Sequence, residues 1–429
     1  MLMRKLSLIL LLLTSLLLNA ENSDTLKVMQ YNLLNYGNYT NYCPQAVNNV
    51  SDKDECIRTI LTAYYPDIFT VCEVGKGASL PTSFVTNNLN INGINFWKTK
   101  AGSNTNNSSL TNCVFYNSTK LQLMSHKVAQ TYVRDVDVYD FKVLDDERDD
   151  IYLTCVVAHL KAGSGAENES SRKLMANNIM KYLEANYKDK NVLIMGDFNL
   201  YGASEPAYVS FVNKSSFPNS YFIDPVYPYG VGEWNSNINF EDYHTQSTHR
   251  DNSGCHSSGG LDDRFDFILM SENIYGGDNN VRYVNGSYKA LGQDGRHFNK
   301  SVNSPENTAV SKEVADALYK NSDHLPVTME LVISKDFGVE ESSNEELSYD
   351  VFPNPTAEDV YIRFYQSKVG SANIVVFNAI GQVVITDDIF VEDKVKEYKL
   401  SLDSMPQGVY FLRITNADGL MKTIKIIKE

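Results

Sequence analysis

The chain has 429 residues, 38 Lys and Arg against 53 Asp and Glu, a net charge of −15 and 43% hydrophobic residues, enough to bury one large core and a second, smaller one. Aromatics reach 11%, with 27 Tyr and 19 Phe, and charged residues only 21%, which excludes a disordered chain and collagen-like or coiled-coil architectures. So acidic a protein does not coat nucleic acid through bulk charge.

At the start, Arg4 and Lys5 precede an apolar run from Leu6 to Leu18 that closes on Leu18-Asn19-Ala20, the pattern of a secretory signal peptide over residues 1–20. The run has 13 residues, short of the roughly 18 that cross a bilayer, and no other stretch approaches that length. Stable membrane insertion is therefore not expected, and no Cys follows Ala20 to carry a lipid. Without residues 1–20 there are 36 basic against 53 acidic residues, a charge of −17. Six cysteines remain, at 43, 56, 72, 113, 155 and 255, an even number in a chain bound for an oxidising compartment. Cys43 and Cys56 flank an Asn- and Asp-rich insert and are the expected bridge. Cys72, Cys113 and Cys155 sit in apolar runs and read as buried free thiols. No cysteine spacing resembles a zinc site.

Leu26 to Leu34, Asp67 to Val74, Asn112 to Tyr116, Ile151 to Lys161, Asn191 to Leu200, Phe265 to Met270 and Leu325 to Ile333 read as strands. Ser170 to Tyr187 reads as a helix with Leu174, Met175, Ile179, Met180 and Leu183 on one face. Residues 21–335 thus form an α/β or α+β domain, with the polar stretches 100–109 and 250–260 as loops around a site. Residues 336–347 read as an acidic linker. From 348 to 429, runs such as Val360 to Phe364 and Gly408 to Ile414 recur at the spacing of a small immunoglobulin-like β-sandwich.

The polar residues fall at strand ends: Asn32, Glu73, His159, Asp197 with Asn199, Asp266, and Asp323-His324. One such residue alone reads as a turn former or helix cap. Three acids, two amides and two histidines, with a fourth acid beside His324, read as one polar site, because such groups are costly to bury unpaired. Carboxylate and amide oxygens suit Mg²⁺, Mn²⁺ or Ca²⁺, and a histidine beside a carboxylate makes an oriented base near neutral pH. That set fits metal-dependent phosphoester hydrolysis.

Six blocks in order, Gln30-Tyr31-Asn32-Leu33-Leu34-Asn35, Thr70-Val71-Cys72-Glu73-Val74, Ala158-His159-Leu160-Lys161-Ala162-Gly163, Met195-Gly196-Asp197-Phe198-Asn199, Asp263-Arg264-Phe265-Asp266-Phe267-Ile268 and Ser322-Asp323-His324-Leu325-Pro326-Val327, resemble the motifs of the endonuclease/exonuclease/phosphatase superfamily. The resemblance implies a four-layer α/β sandwich, two packed β-sheets flanked by helices. It implies Glu73 as main metal ligand with Asn32 and Asp323, Mg²⁺ or Mn²⁺ as the ion with Ca²⁺ in support, and His324 as general base held by Asp266. Asp197 and Asn199 would orient the water and the phosphate, with Asp197 as base or second ligand in some members. His159 would donate to a phosphate oxygen or protonate the leaving group, and a histidine here speaks against abasic-site repair. Arg134 resembles a phosphate-contacting arginine of the nuclease branch, and Lys161 is a candidate substrate-binding cation. His244, His249, Cys255 and His256 read as an ordinary loop, and Arg296-His297-Phe298-Asn299 as a surface turn or a substrate contact.

Near the C-terminus, Val351-Phe352-Pro353-Asn354-Pro355, Val376-Phe377-Asn378 and Gly408-Val409-Tyr410-Phe411 resemble the type A sorting domain of the type IX secretion system. This implies periplasmic export, passage across an outer membrane by that machinery, and removal of the domain. The expectation is a secreted monomeric phosphodiesterase, foremost a nonspecific endonuclease on DNA and also RNA. The alternatives are a sphingomyelinase-like enzyme, an inositol or nucleotide phosphatase, and a catalytically silent binding protein.

Overall fold

In the computed structural model, the described residues are 24–144, 151–226, 233–252, 254–333, 349–364, 370–379, 382–391, 396–416 and 421–429. The signal-peptide and linker segments lie outside them. The chain separates into two units, Met1–Gly338 and Val339–Glu429.

Thirteen strands make up the described part of the first unit: β1 (Asp24–Tyr36), β2 (Ile68–Gly75), β3 (Trp97–Ala101), β4 (Leu110–Asn117), β5 (Leu121–Gln130), β6 (Val136–Val143), β7 (Tyr152–His159), β8 (Val192–Asp197), β9 (Phe222–Ile223), β10 (Asp266–Ser271), β11 (Val281–Tyr283), β12 (Lys289–Ala290) and β13 (Val327–Ile333). One sheet runs β11-β13-β1-β2-β4-β3 with β12 on β13; the other runs β5-β6-β7-β8-β10-β9. β1 and β2 of the first pack against β8 of the second.

Helices α1 (Val50–Ala63) and α4 (Lys312–Asn321) cover the first sheet, and α2 (Ala166–Asn186) and α3 (Pro206–Val212) the second. The layers run helix, sheet, sheet, helix, as expected. Strand alternation decides which side chains go where. In β1, Met29, Tyr31 and Leu33 join the helix-side core, leaving Val28, Gln30 and Asn32 for the space between sheets. In β8, Val192 and Ile194 face helices, which turns Met195 and Asp197 inward.

The seven expected strands and the long helix are present, with ends shifted by a few residues. On α2 the buried face is Arg172, Met175, Ala176, Ile179, Met180 and Leu183. Leu174 was expected on that face but is 45% exposed, since it lies about 100° around the helix from Met175. The bridge differs too. Cys43 pairs with Cys255, 212 residues away, while Cys56, Cys72, Cys113 and Cys155 are buried thiols. Cys56 belongs to α1 and packs into the core with Ile57 and Ile60, whereas Cys43 meets Cys255 beside Leu34.

Two motif residues are structural. Gly196 has φ 149°, and a Cβ there would stand 1.7 Å from the Ala158 carbonyl oxygen, so the close β7–β8 approach admits glycine alone. Arg264 is buried and forks onto Asp224 at 2.7 and 2.8 Å, with its guanidinium 4.3 Å from the Phe267 ring centre. Tyr208 Oη also donates to Asp224. Arg264→Met leaves that carboxylate buried and uncompensated, so a loss of about 3–5 kcal/mol is expected, read by denaturant unfolding.

The second unit is all β among its described residues. Strands Tyr349–Phe352, Asp359–Phe364 and Lys396–Ser401 form one sheet, and Val383–Val391, Gly370–Asn378, Gly408–Asn416 and Met421–Lys428 the other. Val360, Ile362, Ile374, Val376, Leu412 and Ile414 share its core.

Candidate active site

Pairing register assembles the site. His159 stands opposite Asp197 in the parallel β7–β8 pair, and Asp266 opposite Asp197 in the antiparallel β8–β10 pair. One imidazole and two carboxylates therefore form a row across three neighbouring strands. The first sheet faces this row with Asn32 of β1 and Glu73 of β2, and the turn ahead of β13 adds Asp323 and His324.

Glu73 reaches the site through a broken register. Between the pairs Asn32↔Cys72 and Tyr36↔Val74, residues 33–35 of β1 stand against Glu73 alone. Leu34, Asn35 and Glu73 have φ of 44°, 54° and 62°. Cys72 points between the sheets, where its Sγ lies 3.7 Å from Ala158 O, and Val74 joins the helix-side core. On its other side β2 carries the extra residue, Cys72 and Glu73 standing against Asn112 of β4 alone, and bulges of this kind re-aim a side chain. Left-handed backbone at Leu or Glu costs of order 1–3 kcal/mol each, a strain that concentrates at functional positions.

Glu73 Oε2 accepts from Asn35 N at 3.0 Å, and Oε1 lies 3.2 Å from Asn32 Nδ2 and 3.9 Å from His159 Nε2. Asp197 Oδ2 accepts from Asn32 Nδ2 at 3.0 Å and sits 3.5 Å from His159 Nε2 and 3.8 Å from His324 Nε2. Asn32 Oδ1 takes the Leu34 amide at 2.9 Å, so its nitrogen, not its oxygen, bridges the two carboxylates. His324 Nδ1 is 2.7 Å from Asp266 Oδ2. Ser322 Oγ donates to Asn32 O at 2.7 Å and ties the His324 turn to β1.

Burial, then Arg134 and His324, push the His159 imidazole well below its usual range. That leaves it neutral. Burial pushes the Asp197 carboxyl up to about 7, with His324 opposing and Asp266 and Glu73 adding to the rise. Burial also works against a charged His324, yet Asp266 and then Asp197 hold it well above the ordinary value; a divalent cation on Glu73 and Asp197 would draw on the same carboxylate charge and free Nε2 to accept a proton. For Asp323, burial is outweighed by His324 and the Ser257 amide, which hold its carboxyl low.

Glu73, His159 and Asp197 each offer an atom within 4.8 Å of the others'. The two carboxylates suit a hard divalent cation, which would relieve the crowding of negative charge at Asp197 and leave the neutral His159 imidazole beside it as a hydrogen-bonding group. Asp323 is outside that trio: its Oδ2 accepts from Ser257 N at 2.8 Å and its Oδ1, like Asp266 Oδ1, is buried and takes no hydrogen bond from the described residues. Asn199, at φ 50°, donates its amide N–H to Asp197 Oδ1 at 3.0 Å. Arg134 Nη1 donates to Leu160 O at 2.8 Å, and Arg134 lines a shallow recess with His159, Asn104 and Ser108. Lys161 Nζ donates to the Ala162 carbonyl at 2.9 Å, which engages one of its three N–H donors.

The histidines of the 244–256 segment serve packing. His249 stacks on His256 and Tyr319, with ring centres 4.1 and 3.7 Å apart, and burial then His256 push it down to about 3. His244 Nε2 meets the Trp234 carbonyl, and His297 lies between Asp294 and Pro305 O. Two residues at the site carry no sequence signal. Gln246 Nε2 lies 2.7 Å from His324 Nε2. The Lys53 ammonium, buried and lowered to about 8 by that burial, donates to Leu33 O at 2.9 Å and also to Asn321 O. It thereby joins the strand end that carries Asn32 to the turn that carries Asp323.

Residues 350–429 match the secretion system C-terminal sorting domain. No curated protein matches the chain. Solved structures similar to it include an endonuclease/exonuclease/phosphatase family protein from Bacteroides thetaiotaomicron, 15% identical over 75% of this chain and 100% of that one, TM-score 0.44. Another is the endonuclease/exonuclease/phosphatase from Beutenbergia cavernae, 14% identical over 94% and 100%, TM-score 0.45. A third is a mannosyl-6-phosphatase from Bacteroides thetaiotaomicron, 15% identical over 72% and 100%, TM-score 0.43. Likenesses this distant leave the chemistry to the residues of the chain itself.

Proposed function

We propose that the chain is a divalent-metal-dependent phosphodiesterase, exported by the type IX route and acting on DNA as an endonuclease. The observation that carries this reading is the Asp266–His324 pair set against the Glu73, His159 and Asp197 donors, with Arg134 beside them. Glu73 would anchor the cation, Mg²⁺ in this reading, with Asp197 at its side, while Asn32, expected as a ligand, holds both carboxylates through its amide nitrogen. When bound, that ion neutralises charge growing on the phosphoryl oxygens.

His324 takes a proton from water at Nε2, while Asp266 accepts from Nδ1–H and fixes the tautomer. Asp197, with its carboxyl near 7 by burial, orients that water. Arg134 and Asn199 donate to the non-bridging oxygens, and the neutral His159 holds the leaving side by hydrogen bonding. The sorting domain supports a secreted or cell-surface location.

The test uses the full chain with supercoiled plasmid and sphingomyelin in parallel, in Mg²⁺, Mn²⁺, Ca²⁺ and EDTA. Metal-dependent nicking abolished by EDTA is the expected result. Phosphocholine release without nicking moves the protein to a lipid substrate, and silence on both leaves phosphomonoesters or a binding role. Deletion of residues 345–429 is expected to leave nicking by purified protein within about twofold, because the first unit holds its own cores, and to block delivery to the cell surface. An inactive but folded truncation would place part of the site in the second unit.

A further inference from the structure

His324 is held at both ring nitrogens. Asp266 Oδ2 stands 2.7 Å from Nδ1, and the side-chain nitrogen of Gln246 stands 2.7 Å from Nε2, nearer than Asn32 Nδ2 at 3.4 Å or Asp197 Oδ2 at 3.8 Å. With Nδ1–H committed to Asp266, Nε2 carries the lone pair that must reach the attacking water. The Gln246 amide therefore fills the place from which that water is deprotonated.

The backbone of Gln246 is rigidly placed. Its N–H donates to Asp263 O at 3.0 Å, and its carbonyl accepts from Asp262 N and Asp263 N, each at 2.9 Å. It bridges to both Asp263 and His324. Its side chain is only half-buried, unlike the neighbouring Thr245 and Ser247, so the amide can yield to water while its backbone stays fixed.

We infer that Gln246 is a positioning residue for hydrolysis, clamping the His324 ring in the resting site and handing its place at Nε2 to the attacking water, whose second hydrogen its Oε1 accepts. This rests on the phosphodiesterase reading of the site. A neutral amide is suited to the task. It donates to a bare Nε2 and, turned over, accepts from a water, without adding a further negative charge to those of Glu73, Asp197, Asp266 and Asp323.

The experiment measures steady-state cleavage of a fluorescein-labelled DNA duplex by the full chain, as wild type, Gln246→Met and Gln246→Glu. Met keeps the volume and removes the hydrogen bond; Glu keeps an acceptor oxygen. Gln246→Met is expected to lower kcat about tenfold while KM and the half-saturating Mg²⁺ concentration stay within about twofold. Gln246→Glu is expected to recover only part of that loss, its oxygen accepting from the water while its charge holds a proton on His324 more tightly. A Met variant with wild-type kcat, or Met and Glu variants equally impaired, overturns the inference and leaves the phosphodiesterase reading intact. A wild-type chain that cleaves nothing in Mg²⁺ overturns both. Unfolding midpoints of the three proteins separate a lost fold from a lost hydrogen bond, since one hydrogen bond moves them only slightly.

Discussion

Replacing His324 by alanine is expected to lower turnover by about two or more orders of magnitude, the scale on which a positioned base contributes, with little change in KM. The size of the effect follows from the site's geometry. Nε2 is the nitrogen that faces both Gln246 and Asp197, and no second histidine stands ready to replace it, because His159 meets Glu73 and Asp197 from the neighbouring strand. Asp266 acts only through His324 Nδ1, so Asp266→Asn should cost less than His324→Ala, and the double variant should be no worse than His324→Ala alone. The measurement is single-turnover nicking at saturating Mg²⁺. Unchanged turnover in His324→Ala would refute the assigned base, and additive losses in the double variant would show that Asp266 has a separate task.

What was legible in the sequence follows from how strands announce themselves. An apolar run bounded by an acid, an Asn or a His marks both the strand and one of its ends, and six such ends converge here because strands of two facing sheets finish or begin at one edge. The layer order could be expected on the same basis. Alternation alone, however, assigns Glu73 to the wrong face: Cys72 points between the sheets, so its successor belongs with the helices, and only the bulge that sets Cys72 and Glu73 together against Asn112 of β4 frees it. A local break in pairing leaves no trace in hydrophobic periodicity.

The same limit explains the other departures. Cys43 and Cys255 are 212 residues apart, and pairing across such a distance depends on the whole topology, whereas Cys56 was the near neighbour in sequence and lies in a helix. Gln246 sits in an irregular segment with no period, among hydroxyl and imidazole side chains that look alike on paper; its contact with His324 spans 78 residues. Helices α1 and α4 were not singled out, although Asn49 caps the first and Ser311 the second through side-chain acceptors. Lys53 looks like a surface charge on α1, yet the residue is 3% exposed and its ammonium joins two backbone carbonyls beneath the site.

Glu73→Ala is expected to remove metal-dependent activity, again by about two orders of magnitude or more, but its more telling consequence lies in stability. Without a cation, Glu73 and Asp197 crowd one side of His159, and the Asp197 carboxyl is already pushed up to about 7 by burial, with Glu73 adding to the rise. Removing Glu73 relieves that crowding and also loses the hydrogen bond its carboxylate accepts from Asn35 N. Glu73→Gln retains an acceptor for that amide and isolates the charge. In EDTA, Glu73→Gln should therefore unfold at the wild-type temperature or slightly above it. In Mg²⁺ the order should reverse. A cation bound only by the folded wild type adds RT ln(1 + [Mg²⁺]/Kd), about 2.7 kcal/mol at a hundredfold excess over Kd, and the variant should gain little of it. Differential scanning calorimetry of both proteins, in EDTA and across a Mg²⁺ series, reads this without any substrate. Equal Mg²⁺-induced shifts in the two would remove Glu73 from the cation site and transfer that role to Asp197, Asp323 and their neighbours, whatever the activity assay returned.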